Sequence, residues 1–308
     1  MVAARKMDSR LPGILLLCML IPVPAVPSVM VTDDTGREVR LEQPARRIVS
    51  LAPYITELLF AAGAGEYVTG VSEFSDYPQA AHTLPRIGGG GGLDLEAILS
   101  LQPDLVIAWQ SGNPAVQVEH LRSLGLAVYL SEPRRLGDIP ATLERFGRLA
   151  GTGPVAAREI AAFQRRLARL RQRYARRPEI SVFYQIWERP LMTVNGEHLI
   201  SDVMRLCGGR NVFSDLPALA PQIAVEAVLA ANPEVIVAGS DDGMSSHPLA
   251  VWREWSELAA VKADRLYLLP RELLVRHTPR ILEGADRLCR MLEAVRRTDP
   301  DGFVRKAR

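Results

Sequence analysis

The stretch PVAAREIAAFQRRLARLRQRYAR, residues 154–176, decides the architecture of this 308-residue chain. It contains no glycine and no proline after Pro154, so nothing inside it breaks a helix. Ile160, Phe163, Leu167, Leu170 and Tyr174 recur at spacings of 3, 4, 3 and 4 residues, the period of one apolar helical stripe. The spacing predicts one amphipathic helix of about 23 residues, about 35 Å long. Arginines fill much of the remainder against a single acid, Glu159. An arginine-rich helix raises the question of nucleic acid, but the regular seam reads as a structural helix with one face packed and the other solvated. It is a stiff rod that limits how far the segments on either side can close on each other.

Those segments share one rhythm of short β-branched strand, turn and helix. Before the rod, Arg47–Leu51, Tyr67–Val71, Asp104–Trp109 and Ala127–Leu130 read as strands, and Ile55–Ala62, Leu95–Leu101 and Ala115–Leu124 as helices. After it, Ile180–Gln185, Leu191–Val194, Glu234–Gly239 and Leu266–Leu269 read as strands, with helices at His198–Cys207, Val225–Ala231 and Pro279–Val295. Thr278 and Pro279 predict a cap and first position for the last helix. Strands alternating with helices imply α/β lobes with parallel sheets covered on both faces.

An internal echo supports two lobes. DLEAILSLQPDLVIA at 94–108 and AVEAVLAANPEVIVA at 224–238 align at a fixed offset of 130. Glu96 and Glu226 coincide, each in the first turn of its helix. A carboxylate there suits the helix dipole; equally, two lobes would present matching carboxylates to arginines of a two-fold symmetric partner.

The length suits two domains of ordinary size, and with 48% hydrophobic residues each can bury a core. Residues 1–25 read as a cleaved export signal: basic Arg5–Arg10, apolar Leu11–Val23, then Val23-Pro24-Ala25. About 13 apolar residues fall short of a membrane span, and Leu17 before Cys18 argues against lipidation. The formal charge of +2 resides in that leader, so the body is neutral and its net charge gives no electrostatic reason to expect nucleic acid or an acidic membrane surface. Cleavage leaves Cys207 and Cys289, and an even pair in an oxidising compartment favours a disulfide over two buried thiols.

No HExxH, CxxC or GxSxG motif is present. The five histidines, His82, His120, His198, His247 and His277, are scattered, so no local metal site is expected. Gly88–Gly92 lacks the Lys-Ser/Thr ending of a phosphate loop and reads as a side-chain-free loop, against a ligand or as a linker. Trp109 closes one strand and Trp187 follows another. Parallel sheets bind ligands beyond the carboxyl ends of their strands, so both tryptophans are expected on facing rims of a cleft, suited to a large, partly apolar ligand. Glu272, Arg276 and His277, before the last helix, are candidates for polar contacts.

The segments RIVSLAPYITELLFAAG (47–63), SEFSDYP (72–78), DLEAILSLQPDLVIAWQSGNP (94–114), GEHLISDVMRLCGGRNVF (196–213), PQIAVEAVL (221–229) and RHTPRILEGADRLC (276–289) together resemble the periplasmic cobalamin-binding proteins of ABC importers. The first and third are shared with siderophore- and haem-binding relatives; AWQSGNP with SEFSDYP points to cobalamin. The resemblance implies two Rossmann-like α/β lobes on one backbone helix, with a signal peptide at 1–25, lobes at 26–152 and 178–308, and the rod at 153–177. It implies a periplasmic, non-catalytic monomer that delivers cobalamin to an ABC permease through Glu96 and Glu226, with Cys207 and Cys289 bridged. Tyr54, Phe74, Trp109, Met192, Glu272 and Arg276 match corrin-cleft positions, and Trp187 joins them by its place beyond a strand. Well-known relatives carry tryptophans near Gly90 and Ala220 that this chain lacks; Trp187 is a candidate replacement. Haem or a ferric siderophore is the alternative ligand, and a corrinoid-processing enzyme the alternative class.

Overall fold

A computed structural model describes residues 28–89, 91–174, 176–240 and 248–298. The leader, Gly90, His247 and the final residues 299–308 lie outside the described residues.

The chain enters through an antiparallel hairpin, β1 (Val29–Thr32) and β2 (Glu38–Leu41). There follow β3 (Ile48–Ser50), α1 (Pro53–Ala61), β4 (Val68–Val71), the two-residue strands β5 (Gly88–Gly89) and β6 (Gly92–Leu93), α2 (Leu95–Ser100), β7 (Leu105–Trp109), α3 (Ala115–Ser123), β8 (Val128–Ser131) and α4 (Asp138–Ala150). The rod is α5 (Gly153–Tyr174). Beyond it come β9 (Ile180–Gln185), α6 (Leu199–Leu206), β10 (Gly209–Asn211), α7 (Val225–Ala231), β11 (Val235–Ser240), α8 (Ala259–Lys262), β12 (Leu266–Pro270), α9 (Glu272–Val275) and α10 (Ile281–Thr298).

Two four-stranded parallel sheets result, ordered β4-β3-β7-β8 and β10-β9-β11-β12. The topology is the same in both: the second strand lies on one side of the first, the third and fourth on the other. The echoed segments are α2 with β7 and α7 with β11, equivalent places in the two lobes. The interior strands β3, β7, β9 and β11 are buried on both faces, as parallel sheets require. Each sheet reverses its winding beside its first strand, and ligands bind at the carboxyl edge of such a switch point.

One core layer is common to both lobes. It runs from Val31 in β1 through Ile55, Phe146, Phe163 and Leu167 to Leu288 and Val295 in α10. Two smaller clusters lie on the outer faces, one under α2 and α3 and the other under α7 and α8. The expected seam of α5 is buried at Phe163, Leu167, Leu170 and Tyr174, while Ile160 is half-buried. Its 22 residues span about 33 Å. Entry into α5 is tight: α4 ends on Gly151, at φ 72°, and a methyl on Gly147 would lie 2.6 Å from the Ala156 Cβ.

Three expectations need correction. Leu191–Val194 is not a strand; Met192 makes isolated bridges to Trp187 and Gln222 around a turn with a cis Arg189–Pro190 bond. The place beside β9 is taken by β10, whose Gly-Arg-Asn sequence carries little strand signal. The last helix starts at Ile281 rather than Pro279, and the Thr278 hydroxyl caps nothing, although its carbonyl accepts from the Ile281 amide. Around the glycine run, Gly88–Gly89 pairs with Gly92–Leu93 as a small hairpin, so the segment is not an open loop.

Cys207, closing α6, and Cys289, in α10, are fully buried and bridged, 82 residues apart. Replacing both with alanine is expected to lower unfolding free energy by about 2–4 kcal/mol, read from the urea midpoint. An unchanged midpoint would show that packing of α6 on α10 alone holds this corner.

Candidate ligand-binding cleft

A cleft of about 950 Å³ opens at the carboxyl edge of the sheets, at the upper end of small-molecule sites. Its N-terminal wall is the turn carrying Phe74, Asp76 and Tyr77; the opposite wall is Trp187 with Glu272, Val275 and Arg276. Phe74 adopts φ 60°, in the left-handed region, and is 78% exposed. Such a backbone is uncommon for a bulky residue and, within a turn, throws the side chain outward. Trp187 is 54% exposed; its Nε1 donates to the Arg189 carbonyl (3.0 Å), and the Arg271 guanidinium lies 5.4 Å from its ring centre. Two flat faces therefore stand open in one cleft.

Its floor is a charge cluster that crosses the lobes. Arg276 donates to Glu57 Oε1 (2.9 Å), to Asp76 Oδ1 (2.5 Å) and to the Phe74 carbonyl (3.2 Å). Arg280 reaches the same Glu57 oxygen at 3.3 Å, lies 3.9 Å from Glu272 and covers the Tyr77 ring at 4.1 Å. Glu57 projects from α1 into the interior, and its carboxylate is almost wholly buried. Burial raises the Glu57 carboxyl above its ordinary value despite the two guanidiniums. At Asp76 burial also acts upward, but the Arg276 hydrogen bond and charge outweigh it and hold that carboxyl low.

Behind the cleft a column of rings joins the lobes. Trp109 meets Tyr54 edge-on at 6.0 Å, Tyr54 packs on His277 at 5.4 Å, and His277 meets His198 at 5.5 Å. The Tyr54 hydroxyl donates to the Ser131 carbonyl (3.0 Å), and His198 Nδ1 accepts from the Ile200 amide (3.1 Å) as the cap of α6. Burial pushes His198 down to about 4, helped by Arg134. Burial and the neighbouring His198 push His277 down to about 3.

Of the sequence-derived candidates, Phe74, Trp187, Glu272 and Arg276 line the cleft together. Tyr54 is buried in the ring column; Trp109, half-buried, rests on Gly112, and Met192 sits half-buried in the turn behind Trp187. His277, expected among the polar contacts, is buried against Tyr54 and His198. Glu57, Asp76, Tyr77, Arg271 and Arg280 join the site without a signal of their own in the sequence, although three of them lie in the segments 47–63 and 72–78 and Arg280 in 276–289. Glu57, Asp76, Tyr77 and Arg280 meet partners some 200 residues away, and Arg271 meets the Ile186 carbonyl 85 residues away, so no local pattern reveals them. Glu96 and Glu226 are both exposed in the first turns of α2 and α7, and neither forms an ion pair with a described residue. Among the described residues no group of three or more His, Cys, Asp or Glu is placed to hold a metal ion.

The model of the periplasmic binding protein family matches residues 48–273. A vitamin B12-binding protein of Vibrio cholerae is 39% identical over 251 residues, covering 81% of this chain and 90% of that protein. The vitamin B12-binding protein of Vibrio parahaemolyticus is 38% identical over 263 residues, 83% of this chain and 92% of its own. The crystal structure of the periplasmic vitamin B12 binding protein BtuF of Vibrio cholerae has a TM-score of 0.76 at 38% identity, covering 82% of this chain and 98% of that one. The periplasmic heme-binding protein RhuT of Roseiflexus sp. RS-1 shares the fold at TM-score 0.69 and 26% identity, covering 80% and 97%.

The ring column sets a pH dependence. An unfolded imidazole takes up a proton near pH 6.5, whereas folded His198 and His277 resist until about 4 and 3. The unfolded state binds more protons in that window, so stability is highest above pH 6.5 and falls as pH drops towards 4. The slope is expected to reach about 1.4 kcal/mol per pH unit for each proton. His277→Gln should flatten it in urea titrations between pH 7 and 4; an unaltered slope would mean that His277 is not held neutral.

Proposed function

The chain belongs to the periplasmic binding protein family, and on that premise we propose that it captures cobalamin, or a close corrinoid, and hands it to an ABC permease without catalysing a reaction. Exposure of Phe74 and Trp187 on the two walls of a cleft of about 950 Å³ carries this reading. A corrin is a large macrocycle with apolar faces and a rim of neutral amides. Phe74 and Trp187 supply flat apolar contact, while Glu272 and Arg276 meet the amide rim. Met192 backs Trp187 through its bridge, and Tyr54 and Trp109 support the cleft from the ring column behind it. The vitamin B12-binding relatives support the same ligand. Haem, the ligand of the RhuT neighbour, is disfavoured by the commitment of Arg276 and Arg280 to Glu57, which leaves them poor partners for two propionates.

In this reading residues 1–25 direct export to the periplasm and are removed, 26–152 and 178–308 form the lobes, 153–177 is the rod, and the mature protein is a monomer. Glu96 and Glu226, exposed at equivalent helices of the two lobes, meet permease arginines.

Calorimetric titration with cyanocobalamin tests the ligand. Saturable binding is expected, weakened at least about tenfold in Phe74→Ala/Trp187→Ala, with no comparable Soret-band shift on adding haem. Retention of haem but no corrinoid would overturn the assignment. Glu96→Arg/Glu226→Arg is expected to abolish cobalamin uptake by cells while leaving the titration unchanged; sustained uptake would remove both glutamates from docking.

A further inference from the structure

One face of the rod is exposed to solvent; on it Arg169 Nε donates to the Arg165 carbonyl (3.4 Å) and the Arg173 guanidinium lies 5.2 Å from the Tyr174 ring centre. The rod's buried residues Phe163, Leu167, Leu170 and Tyr174 lie along one side. At 100° per residue, Arg158, Arg165, Arg169 and Arg173 fall within about 80° of arc on the opposite side. All four are exposed, and none forms an ion pair with a described residue. Exposed Arg176 continues the line just past the helix. The nearby acids are engaged elsewhere: Glu283 of α10 faces Arg166 at 3.8 Å, and Glu293 faces Arg177 at 3.6 Å. Glu159, the one acid of the helix, lines a separate recess with Glu57 and Arg280.

Arginine suits a helix, and Arg173 suits the dipole of the last turn, but the spacing of the ridge works against it. Arg165–Arg169 and Arg169–Arg173 are like-charged pairs four residues apart, which disfavour a helix. The ridge runs about 22 Å along the helix from Arg158 to Arg173. The large hydrophobic residues exposed on the protein include no aromatic of α5, so it lacks the stacking platforms that single-stranded nucleic acid uses. A flat polyanionic surface is the partner that matches a line of cations without a groove.

We propose that the arginine ridge of α5 docks this protein reversibly on an anionic phospholipid surface, each guanidinium meeting headgroup phosphate. The attachment is Coulombic, with no inserted apolar group, so salt screens it. α5 belongs to the layer shared by the lobes, whereas α2 and α7, bearing Glu96 and Glu226, pack on the outer faces of the sheets. Lipid contact and the glutamates thus occupy different faces. The proposal needs only a folded rod and is independent of what the cleft binds.

Co-sedimentation of the exported protein, purified from the periplasm, with vesicles tests it. The expected result is binding to mixed phosphatidylcholine–phosphatidylglycerol vesicles, no binding to phosphatidylcholine alone, and loss with added salt. Arg158→Gln/Arg165→Gln/Arg169→Gln/Arg173→Gln should weaken binding at least about tenfold, with circular dichroism and cleft titration unchanged, since glutamine is as good a helix former. Arg37→Gln/Arg40→Gln, at the exposed β1–β2 hairpin, should bind as the unaltered protein does. Absence of binding at low salt, equal binding by the ridge variant, or equal loss in the hairpin variant would overturn the proposal. Tighter ridge-dependent binding of a DNA duplex than of the vesicles would overturn it in favour of nucleic acid.

Discussion

Burial of the α5 seam in a core common to both halves is the constraint on which the cleft depends. Phe163, Leu167, Leu170 and Tyr174 share one apolar cluster with residues of β1 and of α10, so neither lobe has an interior of its own on that side. Interiors are close-packed and resist sliding. Opening the lobes widely would pull side chains out of that layer, and the gap between Phe74 and Trp187 is set accordingly.

The charge cluster at the floor works with this apolar connection. Removing a carboxylate and two guanidiniums from water is unfavourable, and a buried ion pair often gains little net stability over apolar residues of the same size. Arg276 nonetheless gathers Glu57, Asp76 and the Phe74 carbonyl from the other lobe. Its effect is geometric: one side chain fixes the height of the Phe74 turn relative to the opposite wall. The ring column does the same at greater depth, where Tyr54 of α1 is sandwiched between Trp109 of its own lobe and His277 of the other.

Much of this architecture is legible in the amino-acid order. The 3-4-3-4 seam predicts the rod, β-branched runs predict the interior strands, and the echo at 94–108 and 224–238 marks equivalent helix–strand units. Paired cysteines predict the bridge. What escapes is whatever depends on distant partners. β10 is a strand because β9 offers it an edge, and its own residues do not ask for one. Leu191–Val194 has strand composition yet turns back, since that edge is already taken. Trp109 closes a strand, and Tyr54, Phe74 and Trp187 each follow one by a few residues; local sequence does not tell which rings face the gap and which pack beneath it. The Glu57–Arg276 pairing links positions 219 apart.

The four tryptophans occupy four different environments. Trp252 is wholly enclosed, Trp109 is half-covered beneath its loop, Trp255 reaches solvent beside α8, and Trp187 stands in the cleft. Their emission will differ in colour and in access to quenchers. A strongly absorbing, ring-shaped guest seated against Trp187 would darken that indole first, so the molecule carries its own optical gauge of occupancy without any attached dye.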